Sequence, residues 1–226
     1  MCGRYALYGP VSRKNRSAIE FLDGEIEFGP RYNAAPSQDL PVFRVSSRQG
    51  RGLVLMRWGL IPSWARDRSI GARMINARAE TVAEKPAFRV AFRHRRCLVP
   101  MSGFYEWKKE AGRKVPYFIH LLNTDAFAAA GLYEFWAGKD GEGPIESYTI
   151  ITTEANEMIR PLYERMPVIL PPDDYEAWLD PDNNEVEGLK ARLKPYPAEE
   201  MRAYPISSRV NNVNNDGPEI IEPVAA

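Results

Sequence analysis

The dipeptide Met1-Cys2 carries the most distinctive chemistry in the sequence. A small second residue permits removal of the initiator methionine, which leaves the cysteine with a free α-amine. That pairing is a 1,2-aminothiol. Its amine ordinarily titrates near about 8 and its thiol near about 8.5, so both are partly deprotonated at neutral pH and both can attack one aldehyde carbon. Amine attack gives a Schiff base, and closure by the thiol gives a five-membered thiazolidine. The competing reading is a retained Met1 and a Cys2 that serves only as a small buried hydrophobe.

Little else in the sequence offers a thiol a partner. His94 sits in the arginine-rich run RHRRC and His120 in an apolar, strand-like segment, so a Cys-His pair is unsupported. His94-x-x-Cys97 is one weak pair without a second, which argues against a metal site, and no cofactor motif or glycine-rich phosphate loop is present. Neither metal nor cofactor is expected. Two cysteines, Cys2 and Cys97, fit a reducing compartment rather than a disulfide scaffold.

Short strands must do the positioning. Glycine and proline punctuate the chain throughout, and the apolar segments between them are brief: LVLMRWGL, CLVPMSGFYEW, VPYFIHLL, AFAAAGLYEFW, SYTIITT, MPVILP. Helical patterns are expected over 12–22, 83–93, 156–162 and 172–180, the last with Asp173 and Asp174 in its first turn. The fold class is α+β with mainly antiparallel strands. At 226 residues a single domain over 1–226 is the default. The stretch 138–144 reads as a hairpin tip, and the tail beyond residue 218 as strand-like or loose. No apolar run approaches the roughly 20 residues of a membrane span, and MCGRYALYGP lacks the apolar centre of a signal peptide. A cytoplasmic or nucleoid location is expected.

Net charge is zero, yet residues 1–100 hold 18 Lys and Arg against 8 Asp and Glu, and the remaining 126 hold 12 against 22. A basic first half rich in arginine can form a phosphate-binding face while the acidic half keeps the whole soluble. The alternative is that the halves interleave in space and cancel.

Six motifs occur in order between Cys2 and about Val224: MCGRY, RYNAAPSQ, WGLIPSW, MINARAET, GFYEW and RMPVILP. Together they resemble the SOS-response-associated peptidase family, also called abasic-site processing proteins. The resemblance implies a mostly antiparallel open pseudo-barrel with peripheral helices, a groove for single-stranded DNA containing abasic sites, a monomer, and a Cys2 thiazolidine with the opened deoxyribose. It implies that Asn76 orients the Cys2 terminus, an amide being able to donate and accept together. Glu106 corresponds to the acid/base, and its aromatic neighbours Phe104, Tyr105 and Trp107 suit a raised pKa. Period-two alternation would put Phe104 and Glu106 on one face, Tyr105 and Trp107 on the other. Arg4 and Arg78 match arginines that hold DNA phosphates, Arg165 matches one beside the active site, and Asn33 and Trp64 match groove residues, Trp64 by stacking against a base. Trp58 is assigned to the core. The departure is Tyr163, which stands where the family has a histidine assigned to sugar-ring opening and crosslink reversal. Phenol is a poorer proton shuttle at neutral pH than imidazole.

Two other classes stay open on the sequence. One is an N-terminal-nucleophile thiol peptidase, acting on its own Met1 or on another amide, as the family name suggests, with lyase chemistry as a further possibility of the same amine. The other is a noncatalytic module that binds intact single strands and forms no adduct.

Overall fold

A computed structural model describes residues 2–8, 28–46, 50–139 and 141–224. The expected helix over 12–22 lies outside them. Thirteen strands are described: β1 (Tyr5–Leu7), β2 (Arg31–Ala34), β3 (Asp39–Ser46), β4 (Gly50–Trp58), β5 (Asn76–Arg78), β6 (Arg96–Met101), β7 (Gly103–Glu110), β8 (Arg113–Leu121), β9 (Phe127–Trp136), β10 (Ile145–Glu154), β11 (Arg165–Pro167), β12 (Ile169–Leu170) and β13 (Met201–Pro205). Three short helices accompany them: α1 (Arg89–His94), α2 (Tyr175–Leu179) and α3 (Val186–Lys190). The class is α+β.

The first sheet runs β13-β8-β7-β1-β2, every pair antiparallel. In the second, β10, β4, β3, β6 and β9 pair in turn, and β9 pairs back onto β10. The circuit is only partly closed. Two of its joints are thin: β4 meets β10 at Arg57 and Trp58, and β3 meets β6 at Phe43 and Arg44. β5 adds to β10 in parallel, bringing Asn76 level with Ile150 and Arg78 level with Thr152.

The sequence of β9 shows why this sheet packs so tightly. FAAAGLYEFW puts small residues at its centre, and a Cβ on Gly131 would stand 2.9 Å from Cys97 Sγ and 3.0 Å from Thr149 O. Sheet faces buried on both sides call for such unbroken apolar runs. A core containing Cys2, Tyr5, Trp58, Phe104, Ile119 and Tyr148 fills the space between the sheets. A second core packs α1 and α2 on the other face of the larger sheet, through Phe92 and Trp178. Tyr105 and Phe118 face a third, which Ile206, Val210 and Ile220 of the C-terminal segment cover.

The region 172–180 is a 3-10 turn (Pro172–Asp174) leading into α2. Only the end of 83–93 is helical: Pro86 has no N–H to donate, and turns carry the chain to α1. Residues 156–162 are successive turns rather than a regular helix. Asn156 Oδ1 accepts from Ile159 N at 2.9 Å, and Arg160 N and Tyr163 N close single turns onto Asn156 O and Ile159 O. The 138–144 stretch connects the antiparallel β9 and β10, as a hairpin tip does. Beyond residue 218 lies a 3-10 turn (Pro218–Ile221), then a bridge from Pro223 to Ile206. Among the described residues no helix is long and apolar enough to cross a membrane.

Candidate active site

β1 lies beside β7 with Tyr5 opposite Phe104 and Ala6 opposite Gly103, and Tyr105 N donates to Arg4 O at 3.1 Å. Continuing that antiparallel register past the start of β1 carries Cys2 to the level of Glu106 and Trp107. The alternation holds. Phe104 shares the inter-sheet core with Cys2, and Tyr105 packs into the core on the opposite face. Glu106 therefore projects to the side of Cys2.

Asn76 reaches the same point from the other sheet. Its Nδ2 donates to Cys2 O at 2.9 Å, while its Oδ1 is buried and accepts no hydrogen bond among the described residues. Asn76 is held there because it begins a strand paired with β10. A terminus fixed through its carbonyl, beside an amide oxygen with an open lone pair, is suited to hold an amine or hydroxyl.

Electrostatics separate the two reactive groups. Cys2 is fully buried, and burial together with the Glu106 carboxylate pushes its thiol well above the usual range. The thiol is therefore not partly ionised at neutral pH as its ordinary pKa suggests, and needs a base to act. Glu106, 3% exposed, is raised by its own burial to about 7. A carboxyl titrating there is poised both to give and to take a proton near neutrality. Beneath Cys2, the hydroxyls of Tyr5 and Tyr148 lie 2.9 Å apart in the core.

Glu106 and Tyr163 line one cleft of about 880 Å³, with Ile75, Leu162 and the sheet edge around Trp107. The Tyr163 hydroxyl is shifted upward by partial burial and by the charges of Glu106 and Glu164, against Arg78 and Arg165. Arg165 itself is held: Nη1 and Nη2 contact the Glu80 carboxylate at 2.5 and 3.0 Å, and Nη2 also donates to Thr152 O at 2.6 Å. The arginine in turn holds the Glu80 carboxyl below its usual range. Arg78 is exposed at the end of β5.

The remaining expected residues do not line that cleft. Asn33 is fully buried, its Nδ2 donating to the carbonyls of Val210, Asn212 and Asn215, and its Oδ1 accepting from Arg4 Nη1 at 2.6 Å. It faces no open groove; it anchors the C-terminal loop and fixes Arg4. Arg4 Nη1 also donates to Val210 O at 2.9 Å. Trp64 is 59% exposed on the loop after β4, outside the cleft lining. Its loop is pinned on both sides, by Ile61 N donating to Ser147 Oγ and by Trp136 Nε1 donating to Ala65 O. Trp58 is a core residue, donating to Ile75 O and tilted against Tyr5 at 5.2 Å.

Neither histidine approaches Cys2. His120 packs between Phe118 and Tyr204 on the outer face of the first sheet, and His94 ends α1. Among the described residues no group of three or more His, Cys, Asp or Glu is placed to hold a metal.

The two halves of the sequence interleave at several points, which confines any phosphate-binding face to a local one. Arg31, Arg44, Arg51, Arg68 and Arg95 pair with Asp216, Glu146, Glu176, Glu142 and Glu134, each a first-half arginine on a second-half carboxylate. Arg66, Arg73 and Arg78 stay exposed near the WGLIPSW and MINARAET segments.

The chain as a whole matches a protein family. Its model, described as SOS response associated peptidase (SRAP), matches residues 1–213. The chain belongs to the SRAP family. An SRAP relative, abasic site processing protein YoqW of Bacillus subtilis, is 43% identical over 225 residues, covering 98% of this chain and 99% of that protein. Abasic site processing protein HMCES of Gallus gallus is 31% identical over 265 residues, covering 99% of this chain and 78% of its own length. A crystal structure of a protein from Bacteroides thetaiotaomicron superposes with a TM-score of 0.85 at 29% identity, covering 99% of this chain and all of that one.

Sequence reasoning missed Glu80 and Asp216. Glu80 lies in the turn just after β5, beyond the reach of strand alternation, and no local signal marks it as the partner of Arg165. Asp216, which accepts from the backbone N–H of Tyr32 and Asn33 at 2.6 and 2.7 Å, lies too far along the chain for any local signal.

Proposed function

We propose that this SRAP protein recognises abasic sites in single-stranded DNA and bonds to them through Cys2 after loss of Met1. The observation that carries the reading is a buried carboxyl, Glu106, titrating near neutrality beside an amino-terminal cysteine whose carbonyl Asn76 holds.

The ring-opened sugar presents an aldehyde. The Cys2 amine adds to that carbon to give a carbinolamine, and protonated Glu106 supplies the proton on which the hydroxyl leaves as water. The Glu106 carboxylate so formed takes the thiol proton, and sulfur adds to the imine carbon, closing the thiazolidine on the neutral amine. One water is released, and Glu106 ends as it began. The raised thiol pKa fits this order: the amine attacks first, and the thiol is activated only when Glu106 has given up its proton. Asn76 Oδ1 accepts from the amine and keeps its lone pair toward the aldehyde. Arg78 and Arg165 engage flanking phosphates, the latter by exchanging Glu80 for phosphate in the same planar fork. Trp64 offers a stacking surface, and Asn33 acts indirectly by fixing Arg4.

The test is intact mass after incubation with an abasic oligonucleotide. Processed protein should gain the oligonucleotide in a heat-stable adduct, retained Met1 or Cys2→Ala should abolish it, and Cys97→Ala should leave it. An undiminished adduct in Cys2→Ala removes the reading.

A further inference from the structure

The hairpin between β7 and β8 has the sequence KKEAGRK, four cations and one carboxylate at 108–114. Ala111 (φ 46°) and Gly112 (φ 77°) form its two-residue turn, and Glu110 closes it opposite Arg113. One step further from the turn, Lys109 stands directly opposite Lys114. In a two-residue hairpin this second pair is the non-hydrogen-bonded kind, in which side chains come closest. Like charges placed so repel and destabilise the hairpin. Nearby Lys108 is paired with Glu110 at 2.6 Å, but neither Lys109 nor Lys114 has a carboxylate partner among the described residues.

Both lysines line the cleft that contains Glu106 and Tyr163. Alternation places them on the face of the first sheet opposite Glu106. The cleft reaches them because β1 begins only at Tyr5, and its register with β7 does not extend past Phe104. It therefore wraps the open edge of β7, from the acid on one face to the lysine pair on the other, with Asn211 and Trp107 between.

We propose that Lys109 and Lys114 form a subsite for a backbone phosphate of the single strand. This phosphate lies on the side of Glu106 away from Arg78 and Arg165, so the strand bends around the β7 edge with the lesion at the bend. The inference rests on the DNA-processing reading above and adds the strand's exit path to it. An anion between the lysines relieves a repulsion that the free protein carries, which is the reason to assign phosphate rather than a neutral group.

The experiment uses the processed full chain and a Lys109→Gln/Lys114→Gln double variant, with Lys194→Gln as a control for general charge. Binding to an intact thymidine oligonucleotide is followed by fluorescence anisotropy across a salt series, and adduct yield is measured on an abasic oligonucleotide at saturation. Losing the one phosphate that the pair neutralises should flatten the log-log salt slope by about 0.7, the value for one single-strand contact. The control and a Lys109→Arg/Lys114→Arg variant should keep the slope, and saturated adduct yield should match wild type. A wild-type slope in the Gln double variant, with wild-type adduct formation, overturns the subsite and leaves the crosslinking reading standing. A flattened slope without any adduct in wild type supports the strand contact and sinks the crosslinking reading. No binding of single strands by wild type overturns both.

Discussion

Replacing Glu106 by glutamine keeps the shape of the side chain and removes its titration. Burial raises this carboxyl from 4.5 to about 7. At about 1.4 kcal/mol per pKa unit, the ionised form carries a folding penalty of about 3 kcal/mol. The folded protein holds the proton more tightly than the unfolded chain does. The corresponding stability is fully present below the unfolded pKa and is lost as pH rises through the folded one. The advantage of Glu106→Gln over wild type should therefore grow by about 2–3 kcal/mol between about pH 5 and about pH 8.5. Urea denaturation of both proteins at the two pH values measures this, and titrating groups common to both drop out of the difference. The same variant should form adduct about 100-fold more slowly or worse, the scale of a lost acid/base. Stability gained at high pH with activity lost marks a residue kept for chemistry. Stability differences that stay constant with pH refute the buried-carboxyl argument.

Asn33→Ala should cost about 1–3 kcal/mol in chemical denaturation, since it removes the amide that ties down the carbonyls of Val210, Asn212 and Asn215, leaves Asn215 O without its donor and releases Arg4. Ala111→Asn should stabilise the protein by about 0.5–1 kcal/mol, raising Tm by about 1–4 °C in calorimetry, because Asn-Gly suits two consecutive positive-φ residues better than Ala-Gly. Tyr163→His should speed both adduct formation and transfer to a competing abasic strand on denaturing gels, whereas Tyr163→Phe should change neither by more than about twofold, because a phenol with a raised pKa shuttles few protons.

What the sequence made legible was local. The alternation of GFYEW put Glu106 on the face of Phe104 because a strand's period is two whatever surrounds it, and Trp58 could be assigned to the core from its apolar setting. Turn residues marked the 138–144 connection. What stayed hidden depended on pairing across long separations. The buried role of Asn33 is set by carbonyls 177 to 182 positions away. The basic bias of the first half meant less than it promised, because five of its arginines meet acids supplied by the second half. The 156–162 segment looked helical by pattern, and Asn156 caps its first turn, but Pro161 has no N–H with which to continue the ladder. The raised Cys2 thiol likewise required knowing how deeply the start of the chain is buried.

That burial sets an order of events in the life of the chain. Cys2 is closed in by segments that include Asn76, Phe104 and Glu106, all made long after it leaves the ribosome. An aminopeptidase must grip the first two residues in extended form, and a finished molecule offers no hold on Cys2. Removal of Met1 by another enzyme therefore belongs to the nascent chain, before the sheets close. Self-cleavage by Cys2 would need the opposite timing, because Glu106, the base beside it among the described residues, is brought there by folding. A pulse of synthesis followed by mass analysis of newly made and matured chains distinguishes the two histories.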